Sequence, residues 1–225
     1  MSLPAAEAEA GAGPELTRLI LIRHGETDWN AQARLQGQLD VPLNARGRRQ
    51  AASLAEALRH EGLSAVISSD LSRARDTASA LASALGLPLA LDVGLRERCF
   101  GVLQGLTRQQ MDQHQPLLAR RWHRREPDFA PEGAESLRDF QARCLATVAR
   151  LAATHAGRCL ALVSHGGVLD GLYRAATGQA LDAPRSWALG NAAINRLLHT
   201  PQGLVLVGWG DSAHLDGLAL DEAAG

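Results

Sequence analysis

Two histidines stand in matching settings in this chain, and each could take part in phosphoryl chemistry. His24 follows the apolar run Leu19 to Ile22 and an arginine, and a glycine follows it: Arg23-His24-Gly25. His165 follows Leu160 to Val163 and a serine, and Gly166-Gly167 come next. Such runs read as buried strands that release their last side chains into loops, where binding and catalytic groups gather. An imidazole beside a permanent guanidinium is disfavoured as a cation, so His24 is expected to be neutral and nucleophilic. Arg23 offers a fork of donors that fits phosphate oxygens. Between the histidines lie Arg73, in the segment Ser68 to Thr77, and Glu97, in Leu95-Arg96-Glu97-Arg98. Arg73 falls in the first turn of a helix pattern, where a cation opposes the helix dipole unless an anion offsets it. The helix that opens at Gly166 favours anions for the same reason. Taken singly, each feature has a plainer reading: a backbone-bonded histidine, a solvated arginine, a structural salt bridge. Together they read as four strand ends converging on one anionic ligand.

Composition narrows the chemistry. All 23 basic residues other than histidine are arginine, and the chain of 225 residues has no lysine. Schiff-base catalysis and a P-loop lysine are thereby excluded. A net charge of -1 supplies no global field for nucleic acid or a membrane surface. Cys99, Cys144 and Cys159 are odd in number and widely spaced, which argues against a zinc site or a disulfide framework and fits a reducing cytosol. No metal and no cofactor are expected, and no apolar run approaches the ~18 residues of a membrane span. The alanine-, glutamate- and glycine-rich residues 1–15 lack the features of a secretion signal and are expected to be a disordered leader. Residues 16–225 are expected to form one domain. Nothing in the sequence sets an oligomeric state.

The elements that must position these groups alternate in type. Strands are expected at Leu16 to Ile22, Ser64 to Ser69, Leu87 to Leu91 and Cys159 to Val163. Helices are expected at Asn44 to His60, Ser72 to Leu85 (stopped by Gly86), Thr107 to Arg125, Glu135 to His155, and Gly166 to Thr177 (stopped by Gly178). Ala193 to His199 and Leu204 to Trp209 form a hairpin pattern around Pro201-Gln202-Gly203. This order predicts an α/β three-layer sandwich: a mostly parallel central sheet, helices on both faces, and an antiparallel edge strand.

On these residues the chain resembles the histidine phosphatase superfamily, in its phosphoglycerate mutase-like branch. Arg23-His24-Gly25-Glu26-Thr27-Asp28-Trp29-Asn30 matches R-H-G-x-T-x-W-N at every fixed position. Ser68 to Thr77, the stretch Leu95-Arg96-Glu97 with Phe100 to Gly105, and Ser164-His165-Gly166-Gly167 match the family's other segments. The resemblance implies that His24 is the nucleophile that becomes phosphohistidine. It implies that Arg23, Arg73 and a protonated His165 hold the phosphoryl group, and that Glu97 protonates the leaving oxygen and then activates water. Asn30, Gly37 and Gly166 are expected to contact substrate. The implied activity is hydrolysis of a small phosphorylated metabolite. A bisphosphoglycerate-dependent phosphoglycerate mutase is the alternative, and a non-catalytic phospholigand-binding member the third reading. The short stretch between Glu97 and His165, with Pro131-Glu132-Gly133-Ala134-Glu135-Ser136, resembles phosphatase members apart from the extra Ala134. The cluster Arg120 to Arg125, which superficially resembles a mutase Trp-Arg-Arg, reads first as a solvated basic helix face.

Overall fold

The computed structural model describes residues 16–219; the leader expected at 1–15 lies outside the described residues. Two parallel neighbours, β1 (Thr17–Arg23) and β4 (Cys159–Ser164), form the centre of a six-stranded sheet. β2 (Ala65–Ser68) adds to β4 and β3 (Leu89–Leu91) to β2, both parallel. On the far side of β1, β5 (Ile194–Thr200) runs antiparallel, and β6 (Gly203–Asp211) pairs back on it. The strand order is β3-β2-β4-β1-β5-β6, so the antiparallel edge is the expected hairpin of β5 and β6.

Alternation along β1 creates the two cores. Leu19 and Leu21 enter a cluster with Phe140 and Val148 of α6 (Leu137–Thr154) and Val168 and Leu172 of α7 (Gly166–Thr177). Ile20 and Ile22 enter the opposite cluster, with Leu54 of α2 (Ala45–Ala57) and Ala74 and Leu81 of α3 (Ser72–Leu85). This is the three-layer arrangement that the period-2 pattern demands. Each of these four β1 side chains is at most 3% exposed, and burying each stabilises the fold by ~1.5–3 kcal/mol. Gly86 and Gly178 end α3 and α7 at φ of 64° and 69°, the left-handed turn that glycine adopts without strain.

The expected helix at Thr107 to Arg125 is two helices, α4 (Arg108–His114) and α5 (Pro116–His123). Pro116 cannot donate a backbone hydrogen bond, and its ring steers the preceding residue out of the helical region. Gln115 accordingly takes φ -135° and ψ 52°. Met111 and Ala119 of this pair pack on Leu103 in a small third core. A single turn, α1 (Asp28–Ala31), was not evident from apolar spacing; a capping box between Thr27 and Asn30 sets it. The acid-bearing segment is not a strand end, because β3 stops at Leu91. Glu97 follows a 3-10 turn at Val93–Leu95.

Candidate active site

The sheet register brings the two histidines together. Arg23 lies opposite Ser164, so the next residues on each strand, His24 and His165, emerge side by side. The His24 N–H donates to the Ser164 carbonyl at 2.9 Å, and the two ring centroids are 5.2 Å apart. His24 is 3% exposed and His165 is fully buried. Gly25 must be glycine, since a Cβ there would lie 2.5 Å from the Gly47 carbonyl oxygen. The Gly25 N–H donates to Thr77 Oγ1 at 3.0 Å, tying the loop to α3.

The His24 tautomer follows from its partner. Nδ1 lies 2.7 Å from the Gly25 carbonyl, which can only accept, so Nδ1 carries the hydrogen. Burial pushes the ring's pKa well below the ordinary value, and Arg23 and Arg73 push it further, against the Gly25 hydrogen bond. Neutral His24 is as expected, although burial outweighs the neighbouring arginine as the cause. His165 corrects the sequence reading, which had it protonated. Burial, then Arg73, His24 and Arg23, hold its pKa well below the ordinary value, so the ring is neutral. Its Nε2 sits 2.9 Å from Ser69 Oγ.

Arg73 is 1% exposed, at the start of α3, and is held by carbonyls rather than carboxylates. It donates to Leu39 O at 2.9 Å and Gly37 O at 2.7 Å. Gly37 therefore acts here as the backbone that aims Arg73. Its φ is 55°, and a Cβ would collide with Gln104 Oε1. Arg23 donates to Leu189 O at 2.5 Å. Gly166 opens α7 against Arg23, whose Nε lies 3.5 Å from the position of a Cβ there. Asn30 Oδ1 accepts from Thr27 and, at 3.3 Å, from Asn191, whose amide also holds His24 O at 2.8 Å.

Glu97 reaches the same site from the opposite wall. Its Oε2 accepts from Gly167 N at 3.0 Å and its Oε1 from Arg98 N at 2.8 Å. Glu135 clamps its loop. That carboxylate takes Arg143 at 2.8 Å through both oxygens and accepts the Cys99 N–H at 2.9 Å. Arg143 also donates to the carbonyls of Gly94, Arg96 and Glu97. Glu135 precedes α6 instead of starting it, which frees its side chain for this task. Ser69 and Thr77 lie in the matched segment Ser68 to Thr77 but carry no role there, and the sequence assigns nothing to Arg143 or Asn191. Each acts through a contact distant in sequence that no local pattern announces.

The Arg120 to Arg125 cluster divides. Arg121 pairs with Glu126 and covers the Phe129 ring, and His123 meets Asp112. Arg125 departs from the solvated-face reading. It adopts φ 52°, binds Asp170 at 2.7 Å, and lines a cavity of about 610 Å³ that begins at Arg23, Glu97 and Gly166.

Residues 19–212 match the family model of the histidine phosphatase superfamily (branch 1). The chain belongs to this superfamily. It is 37% identical to phosphoglycerate mutase-like protein 4 of Arabidopsis thaliana, across 90% of this chain and 88% of the relative. It is 36% identical to a probable phosphoglycerate mutase of Klebsiella pneumoniae, across 92% and 99%. Among solved structures, a mycobacterial glucosyl-3-phosphoglycerate phosphatase in complex with VO3 is 37% identical, with a TM-score of 0.78, covering 87% of this chain and 99% of that one. Among the described residues, no helix is long and apolar enough to cross a membrane. No group of three or more His, Cys, Asp or Glu among them could hold a metal ion.

Proposed function

We propose that this chain is a phosphomonoesterase that hydrolyses a small phosphorylated metabolite through a phosphohistidine at His24. One observation carries this reading. Three buried polar atoms lack a protein partner around His24: Arg23 Nε, Arg73 Nε and His165 Nδ1. A buried donor left unsatisfied costs ~1–3 kcal/mol, and a site that tolerates three together is suited to a ligand rich in acceptors. A phosphoryl group is such a ligand.

In the first half-reaction, the free lone pair on His24 Nε2 attacks phosphorus and the ester P–O bond breaks. Charge gathers on the equatorial oxygens, where Arg23 and Arg73 stabilise it. In this scheme the Ser69 hydroxyl, 2.9 Å from His165 Nε2, donates its hydrogen there. That leaves the His165 Nδ1 hydrogen to donate to a phosphoryl oxygen without a positive ring. Glu97 gives its proton to the leaving alkoxide. In the second half, Glu97 takes a proton from water, the hydroxyl attacks phosphorus, and the P–N bond returns its electron pair to Nε2. A positioned acid–base group contributes ~10²–10⁴-fold to such a reaction.

Mycobacterial, Entamoeba and Escherichia coli neighbours carry names of phosphatases for glucosyl-3-phosphoglycerate, phosphoserine and α-ribazole-5'-phosphate. These support hydrolysis of a metabolite over a macromolecular substrate. The mutase reading rests on the names of the sequence relatives. Against it stands the short segment of α4 and α5 between Glu97 and His165, where a mutase needs a lid that excludes water. A cytoplasmic location is part of the proposal, supported by three free cysteines, and so is turnover without a metal. The test is His24→Ala. Phosphate release from a panel of phosphorylated metabolites should vanish together with the acid-labile, base-stable phosphoenzyme. Near-wild-type turnover in the variant would overturn the reading, and efficient bisphosphoglycerate-dependent isomerisation of 3-phosphoglycerate would replace it with the mutase.

A further inference from the structure

The 610 Å³ cavity runs outward from the phosphoryl site between α5 and the connection from α7 to β5. Its wall is strongly cationic: Arg98, Arg108, Arg125 and Arg185 face two carboxylates, Glu97 and Asp170. Both carboxylates already take hydrogen bonds, although Asp170 Oδ1 is buried without a partner. Glu97 takes two backbone N–H groups. Asp170 Oδ2 serves both Arg125 and Arg174, at 2.7 Å and 3.0 Å. Arg98 directs Nε and Nη2 to the carbonyls of Glu135 and Phe129. Among the described residues, no hydrogen bond or ion pair holds Arg185.

An exposed arginine without a partner is ordinarily a solvated one. Arg185 differs in its mounting. Arg174 holds the carbonyls of Ala180 and Ala183, and Arg125 holds that of Leu181 at 2.9 Å. Beyond it, Trp187 stacks on Tyr173 at 4.2 Å, Trp209 Nε1 holds Ala188 O, and Arg23 holds Leu189 O. The backbone on both sides of Arg185 is thus tethered. Its charge also bears on the site. Burial lowers the Arg23 pKa, Glu97 opposes this, and Arg185 lowers it again. Arg185 acts in the same direction on Arg125, behind burial and Arg174 and against Asp170. A guanidinium on a tethered backbone that repels two neighbours, and that no carboxylate among the described residues pairs with, is stabilised by an anion arriving with the substrate.

Resting on the phosphatase reading, we infer that the preferred ester carries a second anionic group on its alcohol, a carboxylate or a phosphate, bound by Arg185 with Arg125. Arg185 is then a specificity-determining residue. The phosphoryl group occupies the inner arginines, and the alcohol spans the cavity to the outer pair.

The test uses three three-carbon monoesters that differ at the far carbon: glycerol 3-phosphate (hydroxyl), 3-phosphoglycerate (carboxylate) and glycerol 1,3-bisphosphate (phosphate). The wild type should favour at least one anionic ester over glycerol 3-phosphate by ~10-fold or more in kcat/KM. Which one it favours distinguishes carboxylate from phosphate. Arg185→Gln should shrink that ratio several-fold and Arg185→Glu should bring it to one or below. Added salt should shrink it as well. Calorimetric Kd values for the same three compounds on the His24→Ala protein should rank them in the same order. That arm reads the subsite even if no ester is hydrolysed, so failure of the phosphatase reading and of this inference are told apart. A wild-type preference near one in both arms, or a ratio unmoved by Arg185→Glu, would overturn the inference.

Discussion

Gly167→Ala should separate the acid from the rest of the site. Gly167 is the second residue of α7, and a Cβ there would stand 2.2 Å from Glu97 Oε1 and 3.1 Å from its Cδ. Ordinary contact begins at 3.4 Å, so the carboxylate must retreat by about 1.2 Å. Retreat strains both of its hydrogen bonds, to Gly167 N and Arg98 N. A displacement of ~1 Å can cost ~10²-fold, and the whole contribution of a general acid is ~10²–10⁴-fold. We therefore expect kcat for an alkyl phosphate to fall by ~10²-fold, no further than it falls in Glu97→Gln. The fold should survive, since alanine is favoured over glycine within a helix by ~0.5–1 kcal/mol. 4-Nitrophenyl phosphate should be slowed only a few-fold, because its leaving group departs with little protonation. Steady-state kinetics on both esters, with a thermal melt as control, make the comparison. Equal slowing of both, or alkyl hydrolysis at the wild-type rate, would remove Glu97 from the acid role.

Acidification should weaken the fold through His24 and His165. Their folded pKa values lie well below 6.5, so between that value and the folded ones the unfolded chain binds more protons. Stability is complete above about pH 6.5 and declines as pH falls through the window; melts of wild type and His165→Asn should show a shallower acid decline in the variant. Asp170→Ala strands Arg174, which is 1% exposed, and should cost ~3–5 kcal/mol in denaturant unfolding, as breaking a buried pair does. A cost below ~1 kcal/mol would mean that the carbonyls of Ala180 and Ala183 suffice to hold that guanidinium. Turnover should persist after exhaustive EDTA treatment while vanadate inhibits competitively; loss restored by a divalent ion would refute the metal-free scheme.

How far the sequence reached depends on how local each cause is. β1 and β4 were legible because an uninterrupted apolar run ending in polar residues has few other readings. The stops at Gly86 and Gly178 were legible because the left-handed turn selects glycine. Pro116 was equally legible as a break, though the helix expected at Thr107 to Arg125 ran through it. Glu97 was found by its motif, but its support from Glu135 and Arg143 joins residues 38 and 46 positions away. The carbonyl cradle of Arg73 spans a similar gap, from Gly37 and Leu39. Carbonyls carry no side-chain identity, so composition cannot announce them. For the same reason the tethered Arg185 loop left no signature.

The pairing of His24 with His165 is dictated by the parallel register of β1 and β4 and not by any contact between their side chains. The sheet thus sets the ring spacing, while the loops around the cavity reach the centre only at a few points: Asn191 on His24 O, Leu189 on Arg23, and Arg98 and Glu135 at Glu97. Cavity side chains such as Arg108 and Arg185 can be recharged while the two rings keep their spacing, provided that the contacts made by Arg98, Glu135, Leu189 and Asn191 persist. On the proposed function, recharging those positions is a route to a different ester that leaves the two-histidine centre in place.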